Sequence, residues 1–388
     1  MNNSWTRTSL GDICMFRAGT AFPKKFQGDV SGEIPFIKVS DLKHSANSLY
    51  IRHSANWVDM STVEHLKASL LYPGAIVFAK IGEGLKAERF RLVARPTCID
   101  NNLMGAIPQG VNTHFLYYLM VHTGVAHLVE GSALPYLRQS DLERIPVCVP
   151  PNDDQRRIAE VLGALDDKIE SNRRIAVKCD EVANILFHQA ASVNRKLDEV
   201  SEVRMGVSPP GSSYNETGDG MAFLQGVRDF SLLHPVARVF TNQPKRLAAA
   251  GDILFSVRAP VGRLNIADSP CCIGRGLAAI TSNRSATCLF ALRAAAAEWE
   301  KFSAEGTVFG AVNQKSLKST LIPWPDPVTE EELEYQLSSL VALASQSERE
   351  SISLSKLRDT LLPELMSGRM RVDEAGRLVS EALNEEAR

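Results

Sequence analysis

The chain is predicted to be α+β, built as two similar mixed domains of short strands, each followed by one long helix. Three observations predict it. Apolar and small residues from about Gln155 to Ala191 recur with a seven-residue period. A second stretch of the same character runs from about Thr329 to Leu362. The segments that precede these two stretches share residues with each other in the same order.

Residues 1–151 form the first mixed segment. Ile34-Pro35-Phe36-Ile37-Lys38-Val39 reads as a short strand, and Ala75 to Ala79, after the Pro73-Gly74 turn, as a buried one. Thr113 to Glu130 reads as a helix. Residues 152–196 carry the first long helix, announced by Pro150-Pro151 and the helix-initiating, dipole-matching types Asn152, Asp153 and Asp154. Ile158, Leu165, Asn172, Cys179 and Leu186 take one seam position; Leu162, Ile169, Ala176, Ala183 and Ala190 take the other. That is the spacing of a helix lying along a partner helix, with Arg156, Arg157, Glu160 and Lys168 outside. Asn172 is the kind of polar seam residue that sets register, unless the seam is offset and it faces water. A helix of about 35 residues is roughly 50 Å long, more than the 34–36 Å of one duplex turn.

Residues 197–328 repeat the first segment. Arg17 matches Arg204, Gly19 matches Gly206, Pro23 matches Pro210 and Phe36 matches Phe223. Further on, Gly74 to Phe78 reappears as Gly251 to Phe255, Glu130-Gly131 as Glu305-Gly306, Gln139 as Gln314 and Leu142 as Leu317. Ordered matches over some 130 residues indicate a duplicated domain-plus-helix unit. Ala222 to Leu224 and Asp252 to Val257 are the matching strands, and Ala286 to Glu305 the matching helix. In residues 329–370, Leu333, Leu337, Leu340, Ala344, Leu354 and Leu361 make the seam, with Ser347 and Ser351 as weak points; Pro363 is expected to close the helix. Residues 371–388 read as a polar, frayed tail.

Composition excludes several classes. With 44% hydrophobic and 23% charged residues the chain is ordinarily globular. Met1 to Trp5 has neither the basic cluster nor the apolar run of a leader, and no window is apolar enough for a membrane span. Seven irregularly spaced cysteines suit a reducing cytoplasm and give no zinc pattern. The net charge of −2 conceals an uneven distribution. Residues 1–151 carry three more basic than acidic residues and residues 197–328 one more, whereas residues from 329 onward carry six more acidic than basic. The mixed domains therefore permit a polyanionic partner. No phosphate-binding Gly-Lys loop, H-E-x-x-H, G-x-S-x-G or G-x-G-x-x-G occurs, and the eight histidines are dispersed.

The repeat, the two seam helices and four phrases together resemble the specificity subunit of type I restriction-modification systems. The phrases are Ile34 to Leu42, Gly251 to Arg258, Asp154-Gln155-Arg156-Arg157-Ile158-Ala159, and Leu361 to Gly368; the likeness covers about residues 5–372. The resemblance implies two target-recognition domains, each reading one half of a split double-stranded DNA target. It implies two helices packed as an antiparallel coiled coil that docks two methyltransferase subunits, with restriction-translocase subunits joining. It further implies no catalysis, cofactor or metal in this chain, since S-adenosylmethionine would belong to the methyltransferase. The first loop departs from the family's Gly-Thr-Pro-like phrase, being Gly19-Thr20-Ala21-Phe22 in one unit and Gly206-Val207-Ser208-Pro209 in the other.

With that resemblance the basic residues beside glycine turns become candidate DNA contacts, because arginine grips a phosphate or a guanine edge with two hydrogen bonds. In the first domain they are Lys38, Lys80, Lys86, Arg89, Arg91 and Arg95; in the second, Arg228, Arg258, Arg263 and Arg275. A later loop adds Arg138 and Gln139 in one domain and Gln314 and Lys315 in the other, with Ser140, Asp141 or Asn313 available as helix caps. Taken alone, each of these residues is equally an ordinary charge on a solvated loop. The competing readings are a subunit of a methylation-only or phage-defence complex, and a scaffold that binds protein rather than DNA.

Overall fold

The computed structural model describes residues 5–129, 135–304 and 311–385; the Glu130-Gly131 and Glu305-Gly306 match lies outside them. The chain divides into two compact units. The first comprises Met1–Glu170 with Ile352–Arg388, the second Ser171–Ser351. Each unit therefore holds one sheet-rich domain and one half of each long helix.

In the first unit, strands are ordered Cys14–Ala18, Leu103–Pro108, Ile76–Ala79, Arg91–Val93, Tyr50–Ile51 in one sheet. A second sheet runs Trp57–Val58, Ile34–Ile37, Thr97–Ile99, Leu70–Leu71, with its central pair parallel. Thr6–Ser9 pairs with Pro146–Val149, closing the domain's two ends on each other. All four residues of Ile76–Ala79 are buried, as an apolar run covered on both faces requires.

The second unit repeats this plan. Glu202–Met205, Leu277–Thr281, Ile253–Ser256 and Leu264–Ile266 form the counterpart of the first sheet. Met221–Leu224 runs parallel to Cys271–Ile273 in the second, and Ala191–Lys196 pairs with Leu321–Pro325. The duplication extends to single bonds. Gly74 N–H donates to Val93 O and Gly251 N–H to Ala267 O; Leu137 N–H donates to Lys80 O and Val312 N–H to Val257 O.

Two helices differ from expectation. Thr113–Thr123 starts on Asn112, whose side chain accepts from Phe115 N–H at 3.0 Å, and stops at Gly124 (φ 64°), well before Glu130. Ala286 to Glu305 is not one helix: Ser285–Ala294 and Ala296–Ala304 are separated at Ala295.

The long helices span Asn152–Ala190 and Glu330–Met366. Within the first unit Ile158, Leu162 and Leu165 share a core with Leu354, Leu361 and Leu365; Ile169 packs at its edge. Within the second, Ala176, Cys179, Ala183 and Phe187 share a core with Leu333, Leu337 and Ala344, and Leu340 packs at its edge. Gln155, Ala159, Glu170, Ala176, Ala183 and Phe187 stand at one constant offset from Leu333, Leu337, Glu348, Leu354, Leu361 and Leu365, and all are buried. Asn172 is 1% exposed, and its Nδ2 finds no acceptor among the described residues. In the last turns Phe187 is buried while Leu186 and Ala190 are only half-buried. A strict seven-residue repeat drifts about 20° per heptad on a straight helix, enough to pass the seam to a neighbour after five heptads.

Two further expectations are corrected. Pro363 does not close the second helix, which continues to Met366 and ends where Gly368 (φ 69°) donates to Leu365 O. Proline near the end forfeits one backbone bond, and the turn that follows is held by Leu365 and Met366 in the core. Of the expected frayed tail, residues 372–385 are ordered: Val372–Glu385 is helical, and Ala375 and Val379 are buried in the first unit's core. Arg157 pairs with Asp373 there, while further along the same helix Asp166 pairs with Arg358 at 2.6 Å.

Candidate nucleic-acid interface

In each domain a glycine at the end of the first sheet strand lets two loops touch. Gly19 N–H donates to Leu103 O at 3.1 Å and Thr20 N–H to Ile99 O; Gly206 N–H donates to Leu277 O at 2.9 Å and Val207 N–H to Ile273 O. A β-carbon on Gly19 would stand 1.9 Å from Asp100 O, and one on Gly206 would stand 2.1 Å from Gly274 O. Backbone cannot yield at those distances, so Gly206→Ala is expected to destabilise the chain by about 1–3 kcal/mol in chemical denaturation and to displace the Arg275 loop. An unchanged denaturation midpoint would show that the loop is free to move.

The same register places the candidate loops together. In the first domain the Lys80–Gly82 turn is joined to the later loop: Ile81 bridges Tyr136, and Gly82 N–H donates to Pro135 O. In the second domain Arg258 bridges Ala311. Each candidate surface is thus assembled from three stretches distant in sequence, held by backbone bonds.

The candidate residues then separate by what their side chains do. In the first domain Lys38 Nζ donates to Gln27 Oε1 at 2.8 Å, and Lys86 pairs with Glu83 at 2.8 Å on the surface. Lys80 is buried, its Nζ 5.6 Å from the Tyr136 ring centre, a cation held over an aromatic face. Arg89 is half-buried and Arg138 exposed. Arg95 lies over the Trp57 ring at 5.8 Å. Arg91 donates to Phe90 O and Leu42 O, Gln139 donates to Glu143, and Gln314 donates to Val203 O. These three, expected among the DNA contacts, have their side chains bonded within the protein.

Capping also differs from expectation. Ser140 and Asp141 sit inside the short helix Gln139–Glu143, whose N-cap position is Arg138. Asn313 does cap, accepting from Ser316 N–H at 2.9 Å.

In the second domain four arginines are engaged in structure: Arg204 with Asp252, Arg238 with Asp229, Arg284 with Glu330 and Arg293 with Asp180. Four others, Arg228, Arg258, Arg263 and Arg275, are exposed and have no side-chain hydrogen bond or ion pair among the described residues. Arg228, Arg258 and Arg275 line one cleft of about 370 Å³ with Ser208, Gln225, Ser256 and Gly276. Arg263 lies on a neighbouring depression with Pro260 and Phe230, and Lys315 is exposed in the first turn of the short helix Gln314–Ser319. Ser208 and Gln225 are cleft residues that charge patterning does not reveal, because they are neutral.

Burial pushes the thiols of Cys14, Cys98, Cys271 and Cys288 up to about 12, leaving them protonated and inert at neutral pH. Burial also raises the Asp100 carboxyl, against the hydrogen bonds it accepts from Asn102 and the charge of Lys38. No group of three or more His, Cys, Asp or Glu side chains among the described residues is placed to hold a metal ion. No helix among them is long and apolar enough to cross a membrane.

A duplicated α+β domain that presents free guanidinium groups from glycine-pinned loops defines a class of DNA-recognition component. Residues 2–178 and 191–351 both match the type I restriction modification DNA specificity domain, so the chain belongs to that family. It is similar to the putative type I restriction enzyme MjaX specificity subunit of Methanocaldococcus jannaschii, 27% identical over 344 residues, covering 81% of this chain and 77% of the relative. A second relative from that organism, the MjaIX specificity subunit, is 24% identical over 200 residues, half of this chain and 45% of its own length. The crystal structure of the type I restriction-modification S subunit from M. genitalium superposes with a TM-score of 0.63 at 15% identity, over 94% of this chain and 97% of that one, and shows the same fold.

Proposed function

We propose that the chain reads a bipartite double-stranded DNA target, the first unit's domain taking one half and the second unit's domain the other. The long helices pack as an antiparallel coiled coil that spaces the domains and docks two methyltransferase subunits. Those subunits carry S-adenosylmethionine and modify adenine, and restriction subunits join them to cut unmodified DNA in the cytoplasm. This chain contributes recognition and no catalytic step; transfer to a base flipped out of the duplex falls to the methyltransferase.

The observation that carries the reading is the duplicated loop register. The same backbone bonds place a basic turn beside a later loop in both domains, while the side chains at the turn differ, Ile81 in one and Arg258 in the other. A repeated frame with different reading groups suits two half-sites of different sequence.

The test is duplex binding by the chain in complex with its methyltransferase, across salt and sequence. Neutralising Z phosphates makes log K fall with log salt at a slope of about −0.9Z, superimposed on a preference for one bipartite sequence. Affinity indifferent to both salt and sequence would favour a protein-interaction scaffold. Methylation without cleavage in any host context would place the chain in a methylation-only complex.

A further inference from the structure

We infer that the second domain reads guanine through Arg258 and Arg275, with Arg228 beside them; the inference rests on the DNA-reading assignment above and names the base it takes. The cleft brings three guanidinium groups together without a carboxylate among its lining residues. Guanidinium groups only donate hydrogen bonds, and guanine is the base whose major-groove edge offers two adjacent acceptors, N7 and O6, where thymine offers O4 alone beside a methyl group. Adenine presents an acceptor and a donor, which suits an amide; cytosine presents a donor, which suits a carboxylate.

The cleft is also shaped for close approach. Gly276 lies so near Gln225 O that a β-carbon there would stand 2.2 Å away, and one on Gly274 would stand 3.1 Å from the Phe223 ring and 3.3 Å from Ser208 Oγ. Arg275 N–H donates to Ser208 Oγ at 3.3 Å, which holds the arginine's backbone at the cleft rim. Arginines that grip phosphates follow the strand and tolerate separation. Three side chains converging on one cleft instead match one or two adjacent base edges.

The first domain cannot make the same reading at the same positions. Ile81 stands where Arg258 stands, since each makes the isolated bridge to the later loop. Asn101 stands where Arg275 stands, because Leu103 N–H donates to Asp100 O as Leu277 N–H donates to Gly274 O. Isoleucine has no donor, and the exposed Asn101 carries an amide. The guanine contact is therefore a property of one half of the target.

The experiment maps methylated adenines in cells carrying the chain and its methyltransferase, and uses an exchange of residues 197–328 to identify the half read by the second domain. Duplexes with 7-deazaguanine in that half, which removes N7 alone, are then bound by the complex. Wild type is expected to lose about 5- to 100-fold in affinity, and Arg258→Gln or Arg275→Gln to lose nothing further on the modified duplex while methylating sites relaxed at one guanine position. Circular dichroism of the variants, whose changed residues are exposed, should match wild type. The inference is overturned if that half contains no guanine, or if the variants weaken binding equally on every sequence with a shallower salt slope, which marks phosphate contacts. Failure of the underlying reading looks different: wild type itself then shows no sequence preference, and the guanine assignment falls with it.

Discussion

Replacing Arg358 by methionine is expected to remove about 3 kcal/mol of stability from the chain. Asp166 is 6% exposed and accepts from Arg358 Nη1 at 2.6 Å and from Tyr118 Oη at 2.6 Å. Burial works against the charge of Arg358, yet Asp166 and Asp359 outweigh it and raise its pKa above the usual value. Burial, and then Asp166, raises Tyr118, so the phenol stays a donor at all ordinary pH. Without the guanidinium, a carboxylate between the two long helices keeps one neutral partner and no countercharge. The size follows from the cost of leaving a buried charge unpaired, taken at the low end because Arg358 is itself 28% exposed. Denaturant midpoints would measure it, and Asp166→Leu combined with Arg358→Met should recover most of the loss. A single-variant change below about 1 kcal/mol would mean that the pair behaves as a surface ion pair.

Inserting seven residues into each long helix, after Glu170 and after Ser351, is expected to lengthen the preferred spacer and leave both half-sites unchanged. Seven residues are close to two helical turns, so each seam keeps its phase while the helix grows by about 10 Å. At about 3.4 Å per base pair that is close to three base pairs. On the original target one domain would then miss its half-site, and methylation should fall by about two orders of magnitude or more, the typical gap between specific and non-specific binding being at least 10³. Methylation mapping of cells carrying the extended chain reads both effects. An unchanged spacer preference would rule out the helices as the element that sets the spacing.

The parts of this chain that could be read from sequence are those governed by local periodicity. The seam residues Ile158, Leu162 and Leu165 announce themselves because a helix must bury one stripe, and Leu354 and Leu361 do the same on its partner. Phe187 escapes because the heptad rule assumes a period that a straight helix does not keep. The helix Val372–Glu385 was legible, because Val372, Ala375, Val379 and Ala382 recur at helical spacing on one face, and its charged residues, which read as a polar tail, occupy the other. Strand pairing was out of reach: Ile34–Ile37 lies parallel to Thr97–Ile99, a choice made by packing rather than by either strand.

The interface was legible in kind and not in detail. Glycine turns with arginine identify the right loops, yet Arg91 and Arg228 look alike until one is seen bonded to Phe90 O and Leu42 O and the other lining an open cleft. Whether an arginine holds the fold or faces solvent depends on carbonyls supplied from elsewhere in the chain.

Two frames of one design, each reading separately, is the claim most exposed to a single measurement: methylated adenines mapped after residues 1–151 are exchanged for the matching domain of a related subunit. The account predicts that one half of the target changes to the donor's sequence, while the other half and the spacer stay as they were. A change in both halves would contradict it.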